Sequence, residues 1–469
     1  MNTAALDIGT TSVRASIYDA AGELLGFARR PLSKSYPFDG AVEQDPVEIV
    51  DSCVSMLGEA ASAAGLVVAD VVSLGITNQR ATVVAWNAET GESLRPAIGW
   101  QDTRTSERVA ELVAMGIPIT TSASCTKFEW LVGNDDACID ARSRGVLRMG
   151  TIDSWVTSAL SANSVAVTDP SNAGVTGLYE AGSLSRSELV LELFGLDAAW
   201  FVDIVGSAEM VGHTAADVVG GELELRSRLG DQSASYLAHR LEAGDAKLSV
   251  GTSAMFGMGV DSALAPAPTG GYVLPLASID GVETYMAEAS VQAAGASIEW
   301  LVAIGLLDRP EDLDIAAADG GSGVEFVSAL AGLGSPWNEP DTRGLLAGLS
   351  LGTTRNDIVR AVTEGLAGRV AEVIATVGPT GSIVVDGGLS QSTVLMQLIA
   401  DISGCELKVA SDAETASRGA AMLSAPGGAT GWQPIGTRAI TPGEADSERD
   451  ATRRDKLRQA ATGLAEPLP

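Results

Sequence analysis

Apolar residues come in short runs at the head of the chain. Residues 3–6, 13–18 and 23–30 alternate or run apolar at strand length, separated by Gly9-Thr10 and by Ala20-Ala21-Gly22. That pattern predicts a three-stranded antiparallel meander. Helical periodicity follows from Pro46 to about Ala64, opened by Asp45-Pro46 in the N-cap and first-turn positions, and VVSLGI then supplies a buried strand before Thr77.

Around Lys247 the layout restarts. LSV, a Gly-Thr-Ser turn and MFGMGV lead through a Pro/Gly-rich connection to a strand near Tyr285 and a helix from Gln292 through Leu301. Two copies of one βββαβα unit are expected, facing each other and each offering a Gly-Thr/Ser hairpin turn to a shared cleft. A helix-rich segment, 340–377, precedes GSIVVDGGLS, an apolar strand ending in Asp386-Gly387-Gly388 at the start of another helix. Residues 436–469 are polar and charged, and read as a terminal helix and tail.

Length and composition add to this picture. A chain of 469 residues is too long for one ordinary core, so two domains of roughly 200 residues are expected. Hydrophobic residues at 46%, aromatics at 4% and 53 glycines fit an α/β enzyme. The formal charge of −30 repels nucleic acid and anionic membrane surfaces, so neither is an expected partner. Cys53, Cys125, Cys138 and Cys405 show no metal-ligand spacing, and His213 and His239 are the two histidines, which argues against structural zinc. Cysteine usage and a start that runs straight into a strand suggest a cytoplasmic protein. The charge-free stretches 262–279 and 419–437 are interrupted by proline or glycine and do not read as membrane spans.

The turns carry the candidate chemistry. A turn of Gly, Thr, Thr and Ser directs backbone N–H groups and hydroxyls inward, a concavity suited to phosphate. Either turn alone reads as an ordinary hairpin; two of them, with Asp7 at the end of the first strand, read as a phosphate site with a Mg²⁺-associated carboxylate. Phosphoryl transfer to a neutral hydroxyl also needs a proton acceptor. GDQSASY places Asp231 shortly before the second hairpin, although a lone Gly-Asp reads more readily as a turn.

Several motifs in unbroken order carry a family resemblance: DIGTTSVRA, VEQDP, GITNQRATVVAWNAETGESLRPAIGWQDTRT, GTIDSW, TDPSNAGVTGL, GDQSA, VGTSAMF, GLGSPWNEPDTRG and DGGLSQSTVLMQLIADISG. Together they resemble the FGGY carbohydrate kinases, most closely the glycerol kinase branch, from about residue 4 to about 432. SASCTKFEWL matches the first family signature, and GLLAGLSLGTTRNDIVRAVTE the second, with Thr363 where an apolar residue is usual. The resemblance implies an α/β fold of two actin-like (ribonuclease H-like) domains with an interdomain cleft. The expected boundaries are 1–240 for the substrate and phosphate side, 241–435 for the nucleotide side and 436–469 for a tail.

Carried over residue by residue, the resemblance implies that Thr10, Thr11, Ser12, Arg14 and Thr252 meet the phosphates of ATP. Asp7 would associate with Mg²⁺, and Gly295, Glu299, Gly388 and Ser392 would line the nucleotide site. Asp231 would be the catalytic base, with Arg80, Trp100 and Gln232 holding a polyol or sugar. The polyol pocket departs from the glycerol pattern at three positions. Ala81 replaces a glutamate, Ser122 a tyrosine and Met255 a phenylalanine, which suggests a substrate larger than glycerol. Glu299 replaces a glutamine and Ser392 an asparagine. A catalytically silent sugar-binding or regulatory relative, and an actin-like or chaperone-type ATPase, are the competing readings. The resemblance also implies a homo-oligomer, dimer or tetramer.

Overall fold

The computed structural model describes residues 1–464 apart from 322, 380, 413 and 444–446, and the backbone alone of 447–453. The end of the expected tail, 465–469, lies outside the described residues. The chain divides into two compact units. The first comprises Met1–Ala238, Leu274–Thr284 and Ala416–Pro434; the second comprises His239–Val273, Tyr285–Thr415 and Ile435–Pro469. Two stretches from the second half of the chain therefore pack with the first.

In the first unit, β1 (Asn2–Ile8), β2 (Ser12–Tyr18) and β3 (Leu24–Pro31) form the expected meander. Helix α1 (Pro46–Ala63) follows, and its N-cap Asp45 accepts a hydrogen bond from the Val47 N–H while Pro46 starts the first turn. Next comes β4 (Val71–Asn78), parallel to β1, and then β5 (Glu224–Gly230), parallel to β4, so the sheet order is β5-β4-β1-β2-β3. Ala4, Leu6 and Ile8 of β1 are fully buried against Ile49, Cys53, Met56 and Ala60 of α1. A large side chain buried this way contributes about 1.5–3 kcal/mol. Gly26 on β3 sets the approach of this layer, because a Cβ there would fall 2.1 Å from the Ala60 carbonyl oxygen.

The second unit repeats this frame. Its strands β6 (Ala246–Val250), β7 (Ala254–Val260) and β9 (Val282–Val291) pair antiparallel in the order β9-β7-β6, and β10 (Ile383–Asp386) and β11 (Leu407–Ala410) continue from β6 in parallel. The backbone duplication read from the sequence is thus present. The repeat is not exact. The Pro/Gly-rich connection contains a further strand, β8 (Tyr272–Ile279), whose residues from Leu274 onward group with the first unit. Pro275 masked it, since proline is normally confined to edge strands, which is where β8 stands in the seven-stranded sheet. The segment read as helix and tail likewise begins with a strand, Thr437–Ile440, antiparallel to β11, before the helix Ser447–Gly463.

Helix α2 (Gly295–Ala303) follows β9, and the long helix α3 (Arg355–Val377) opens with a capping box between Thr354 and Asp357. Leu366, Val370 and Ile374 of α3 pack on Leu248, Val250 and Phe256. The first unit also carries a small four-stranded sheet of Glu43–Gln44, Ala97–Ile98, Val83–Asn87 and Leu147–Thr151, beside which Ser124–Asn134 forms a helix. No helix among the described residues is long and apolar enough to cross a membrane.

Candidate active site

The first turn joins β1 to β2, closed by a hydrogen bond from the Gly9 N–H to the Ser12 carbonyl. Antiparallel register sets Asp7 opposite Arg14, and Arg14 Nη1 donates to Asp7 Oδ2 at 2.8 Å. Asp7 is almost fully buried at 4% exposure. The Thr10 hydroxyl accepts from Trp100 Nε1 at 3.0 Å, and the Thr10 carbonyl from Gln44 Nε2 at 3.2 Å. Thr11 is exposed at the tip, whereas Ser12 is buried, with its hydroxyl accepting from Arg29 Nε. The turn is therefore rigidly held, with Thr11 outermost.

Parallel strands β4 and β5 end side by side and deliver Arg80 and Asp231. Asn78 pairs with Gly230 in register, and the next residues diverge from the sheet's edge. Arg80 Nε lies 3.7 Å from Asp231 Oδ1, which also accepts from the Gln232 N–H at 2.8 Å. A Cβ at Gly230 would fall 2.4 Å from Arg80 Cδ, so the glycine leaves room for the arginine to lie across the strand end. The Arg80 side chain is 10% exposed and that of Asp231 36%, which leaves the carboxylate within reach of a ligand.

Ala81 is buried and adopts a left-handed backbone at φ 64°, unusual for a residue with a side chain. Its carbonyl accepts from the Ser124 hydroxyl at 3.1 Å, at the head of the helix Ser124–Asn134, with Ser122 half-buried just before it. One turn along, Lys127 is buried and donates to the Trp100 carbonyl at 3.1 Å. Burial pushes this amine down to about 7. Ser124 and Lys127 thus hold Ala81 and Trp100, and Gln79 Nε2 donates to Gln44 Oε1 at 2.8 Å, linking the segment before Arg80 to the Thr10 turn. None of these four was singled out from the sequence. All stand inside the motifs SASCTKFEWL, GITNQR and VEQDP, and that was the only signal available.

In the second unit the turn 251–253 joins β6 to β7. Thr252 is exposed, and its carbonyl accepts from the N–H groups of Ala294 and Ala296. The Gly295 N–H donates to the Gly251 carbonyl at 2.8 Å, and a Cβ at 295 would fall 2.6 Å from that oxygen. Glycine at 295 is what allows α2 to start against the turn. Glu299 lies exposed on the same helix, and Met255 is half-buried on β7 opposite Ser290. Gly388 is exposed just after β10, while Ser392 caps the helix Thr393–Ser403, bonded to Asp314 and accepting from the Leu395 N–H. Asp386, at the end of β10, was not assigned a role from the sequence. It is buried and accepts from Ser249 Oγ at 2.5 Å and from Thr415 Oγ1 at 2.9 Å, with Lys247 Nζ at 3.3 Å and His239 Nε2 at 3.4 Å.

The predicted residues therefore form two groups. Asp7, Thr10, Arg14, Arg80, Ala81, Trp100, Ser122, Asp231 and Gln232 belong to the first unit; Thr252, Met255, Gly295, Glu299, Gly388 and Ser392 belong to the second. The first group joins a hydroxyl-bearing turn, a buried carboxylate at its root and an accessible carboxylate beside an arginine.

Comparison with known proteins is consistent over nearly the whole chain. Residues 3–234 match the N-terminal domain of the FGGY family of carbohydrate kinases, and residues 246–426 match its C-terminal domain. The chain is 36% identical over 444 residues to a glycerol kinase of Citrifermentans bemidjiense, covering 90% of this chain and 89% of that one. It is 35% identical to a glycerol kinase of Thermus brockianus, covering 89% and 88%. Among solved structures, glycerol kinase of Plasmodium falciparum with ADP superposes with a TM-score of 0.85 at 22% identity, covering 99% of each chain. Xylulose kinase of Rhodospirillum rubrum superposes at 0.82 and 22% identity, covering 100% of each. The chain belongs to the FGGY family of carbohydrate kinases and is an ATP-dependent sugar or polyol kinase.

Proposed function

We propose that this kinase phosphorylates a hydroxyl of a polyol or ketose larger than glycerol, with Asp231 as the general base. The observation that carries the size argument is Ala81. It follows Arg80 directly and is buried, and its methyl group offers no hydrogen-bond acceptor to a substrate hydroxyl. Glycerol-type recognition at this position uses a glutamate, and a buried hydroxyl left without its partner costs about 1–3 kcal/mol. Ser122 in place of a tyrosine adds room in the same sense.

The residues present fit Mg²⁺-ATP. One carboxylate at a strand end, Asp7, is the donor set that magnesium takes when several waters stay bound, and the two turns supply hydroxyls and N–H groups suited to phosphate oxygens. When bound, the nucleotide and its metal supply the phosphoryl group and neutralise its charge. Arg14 and Thr11 face the phosphates in this reading, and Thr252, at the tip of the second unit's own turn, offers a hydroxyl of the same kind. Ser12, buried against Arg29, shapes the turn. Gly295, Gly388 and Ser392 line the nucleotide, with Glu299 at the margin of that site.

Arg80, Gln232 and Trp100 orient the acceptor so that one hydroxyl lies against Asp231. Its O–H bond breaks as the new O–P bond forms, the proton passes to Asp231, and the γ-phosphorus to oxygen bond breaks with its electron pair left on ADP. Proton acceptance of this kind contributes about 10²–10⁴-fold, and the remainder comes from positioning. Accessibility of Asp231 beside Arg80 supports catalysis over the silent, purely binding alternative. Cysteine usage supports a cytoplasmic enzyme, the charge of −30 argues against a nucleic-acid partner, and the family resemblance supports a homodimer or homotetramer.

The test is an ADP-release assay with Mg²⁺-ATP against glycerol, erythritol, pentitols, hexitols, xylulose and ribulose, with Asp231→Ala as the blank. Turnover of a larger acceptor well above that of glycerol, absent in the variant, is the expected result. Glycerol as the fastest acceptor would overturn the size argument, and full activity of Asp231→Ala would overturn the base.

A further inference from the structure

Asp169 lies at the centre of a buried polar cluster that the reaction above does not use. Asp169, Ser171, Asn172, Asn78 and Ser207 are all 0% exposed. The carboxylate caps the short helix Pro170–Gly174 by accepting from the Asn172 N–H at 3.0 Å. Serine or asparagine would cap equally well. An aspartate is a costly choice in a site this dry, where burial pushes its carboxyl upward.

What the extra acceptor capacity does is visible in its partners. Ser171 Oγ donates to both carboxylate oxygens, at 2.8 and 2.9 Å, and accepts from the Gly230 N–H at 2.8 Å. Asn172 Nδ2 donates to Asp169 at 3.1 Å, while Asn172 Oδ1 accepts from Asn78 Nδ2 at 2.9 Å. Asn78 Nδ2 also bonds the Gln79 carbonyl at 2.9 Å. One arm therefore ends on the residue before Asp231, and the other on the two residues before Arg80. Ser207 Oγ donates to Asp169 at 2.6 Å and accepts from the Ser278 N–H, anchoring the hub to a third segment of the same unit. In the chains from Gly230, Asn78 and Ser278 every hydrogen bond runs toward the carboxylate, so each of these relays has one donor orientation available.

We propose that Asp169 is a positioning residue that sets Asp231 and Arg80 relative to each other, through the Ser171 relay to Gly230 and the Asn172 relay to Asn78. This rests on the reading of Asp231 as base and Arg80 as substrate ligand. The two arms are separable. Loss of the Ser171 arm loosens the base and lowers kcat, whereas loss of the Asn172 arm loosens the substrate contact and raises the acceptor KM. The KM for ATP stays unchanged in both.

The experiment measures kcat, both KM values and the melting midpoint for Ser171→Ala, Asn172→Ala, Asp169→Asn and Asp231→Asn, using the fastest acceptor of the screen above. Ser171→Ala is expected to lower kcat by about 10- to 100-fold, the size of effect a small misplacement produces. Asn172→Ala is expected to raise the acceptor KM about tenfold with a smaller change in kcat, a loss of about 1.4 kcal/mol. Asp169→Asn shows both effects; if it does not fold, the two single-arm variants still decide. Lower melting midpoints with wild-type kcat and KM, or the same change in both single-arm variants, would overturn the proposal while Asp231→Asn remains inactive. Wild-type kcat in Asp231→Asn would remove the base assignment and this proposal together.

Discussion

The two repeated turns differ in which strand carries the acid. In the first unit Asp7 on β1 pairs in register with Thr77 on β4, and in the second Ser249 on β6 pairs with Asp386 on β10. Hydroxyl and carboxylate have changed places across one parallel strand pair. Asp7 stays at the root of its turn with Arg14 on one oxygen. Asp386 is enclosed by Ser249, Thr415 and Lys247, which donate to it, and by His239, whose Nε2 lies 3.4 Å away. The same backbone therefore yields a carboxylate held by Arg14 at the root of a turn in one copy and a carboxylate that locks three segments together in the other. A strand-end aspartate is defined by what else has bonded to it.

The comparison breaks most sharply at Asp386. Asp386→Asn leaves the buried Lys247 without its counter-charge and should cost about 3–5 kcal/mol of stability, read as a fall in denaturant midpoint, while kcat per folded molecule is little changed. A large loss of kcat at unchanged stability would reverse the roles assigned to the two acids. Asp7→Asn is the complement. It should lower kcat by about 10²–10³-fold, the scale of losing one group that stabilises transition-state charge, with the melting midpoint close to wild type.

Two buried lysines sharpen the same contrast. Lys247 faces a carboxylate, whereas Lys127 has the Trp100 carbonyl as its hydrogen-bond acceptor. Burial lowers Lys127 from its ordinary 10.5 to about 7, so between those values the unfolded chain binds more protons than the folded one. Stability contributed by neutral Lys127 is present above about pH 10.5 and declines as pH falls through 7, by up to about 1.4 kcal/mol per pH unit. Lys127→Met should flatten that slope in denaturant midpoints taken from pH 7 to 9.5; an unchanged slope would place its origin elsewhere. The smallest effect concerns glycine. Gly295→Ala drives a Cβ against the Gly251 carbonyl and should cost about 1–3 kcal/mol, whereas Gly9→Ala meets its nearest neighbour, the Ser12 carbonyl oxygen, at 3.3 Å and should cost less. Equal midpoints for the two variants would show that the turns tolerate crowding alike.

Much of the frame was legible because it rests on local rules. Alternation and turn residues marked β1 to β3, Asp45-Pro46 marked the start of α1, and the Gly-Thr signature marked both hairpins. Strand β8 was hidden by Pro275, since a breaker is judged without knowing that its strand lies at an edge. The candidate residues could be named individually from the family pattern. Which of them touch could not. The bond from Trp100 to the Thr10 hydroxyl spans 90 positions, and that from Asn78 to Asn172 spans 94.

The sequence by itself determined the opening elements β1 to β4, the duplicated hairpins and the family to which the chain belongs, because side-chain periodicity, turn chemistry and motif order are properties of neighbours along the chain. Only the tertiary structure decided that Asp386 is enclosed, that Ser12 faces Arg29 and that Asp169 reaches Gly230 and Asn78, neighbours of Asp231 and Arg80 in the chain, through one relay each. Hydrogen-bond geometry and burial depend on which strands end side by side, and that is set by packing across the whole unit.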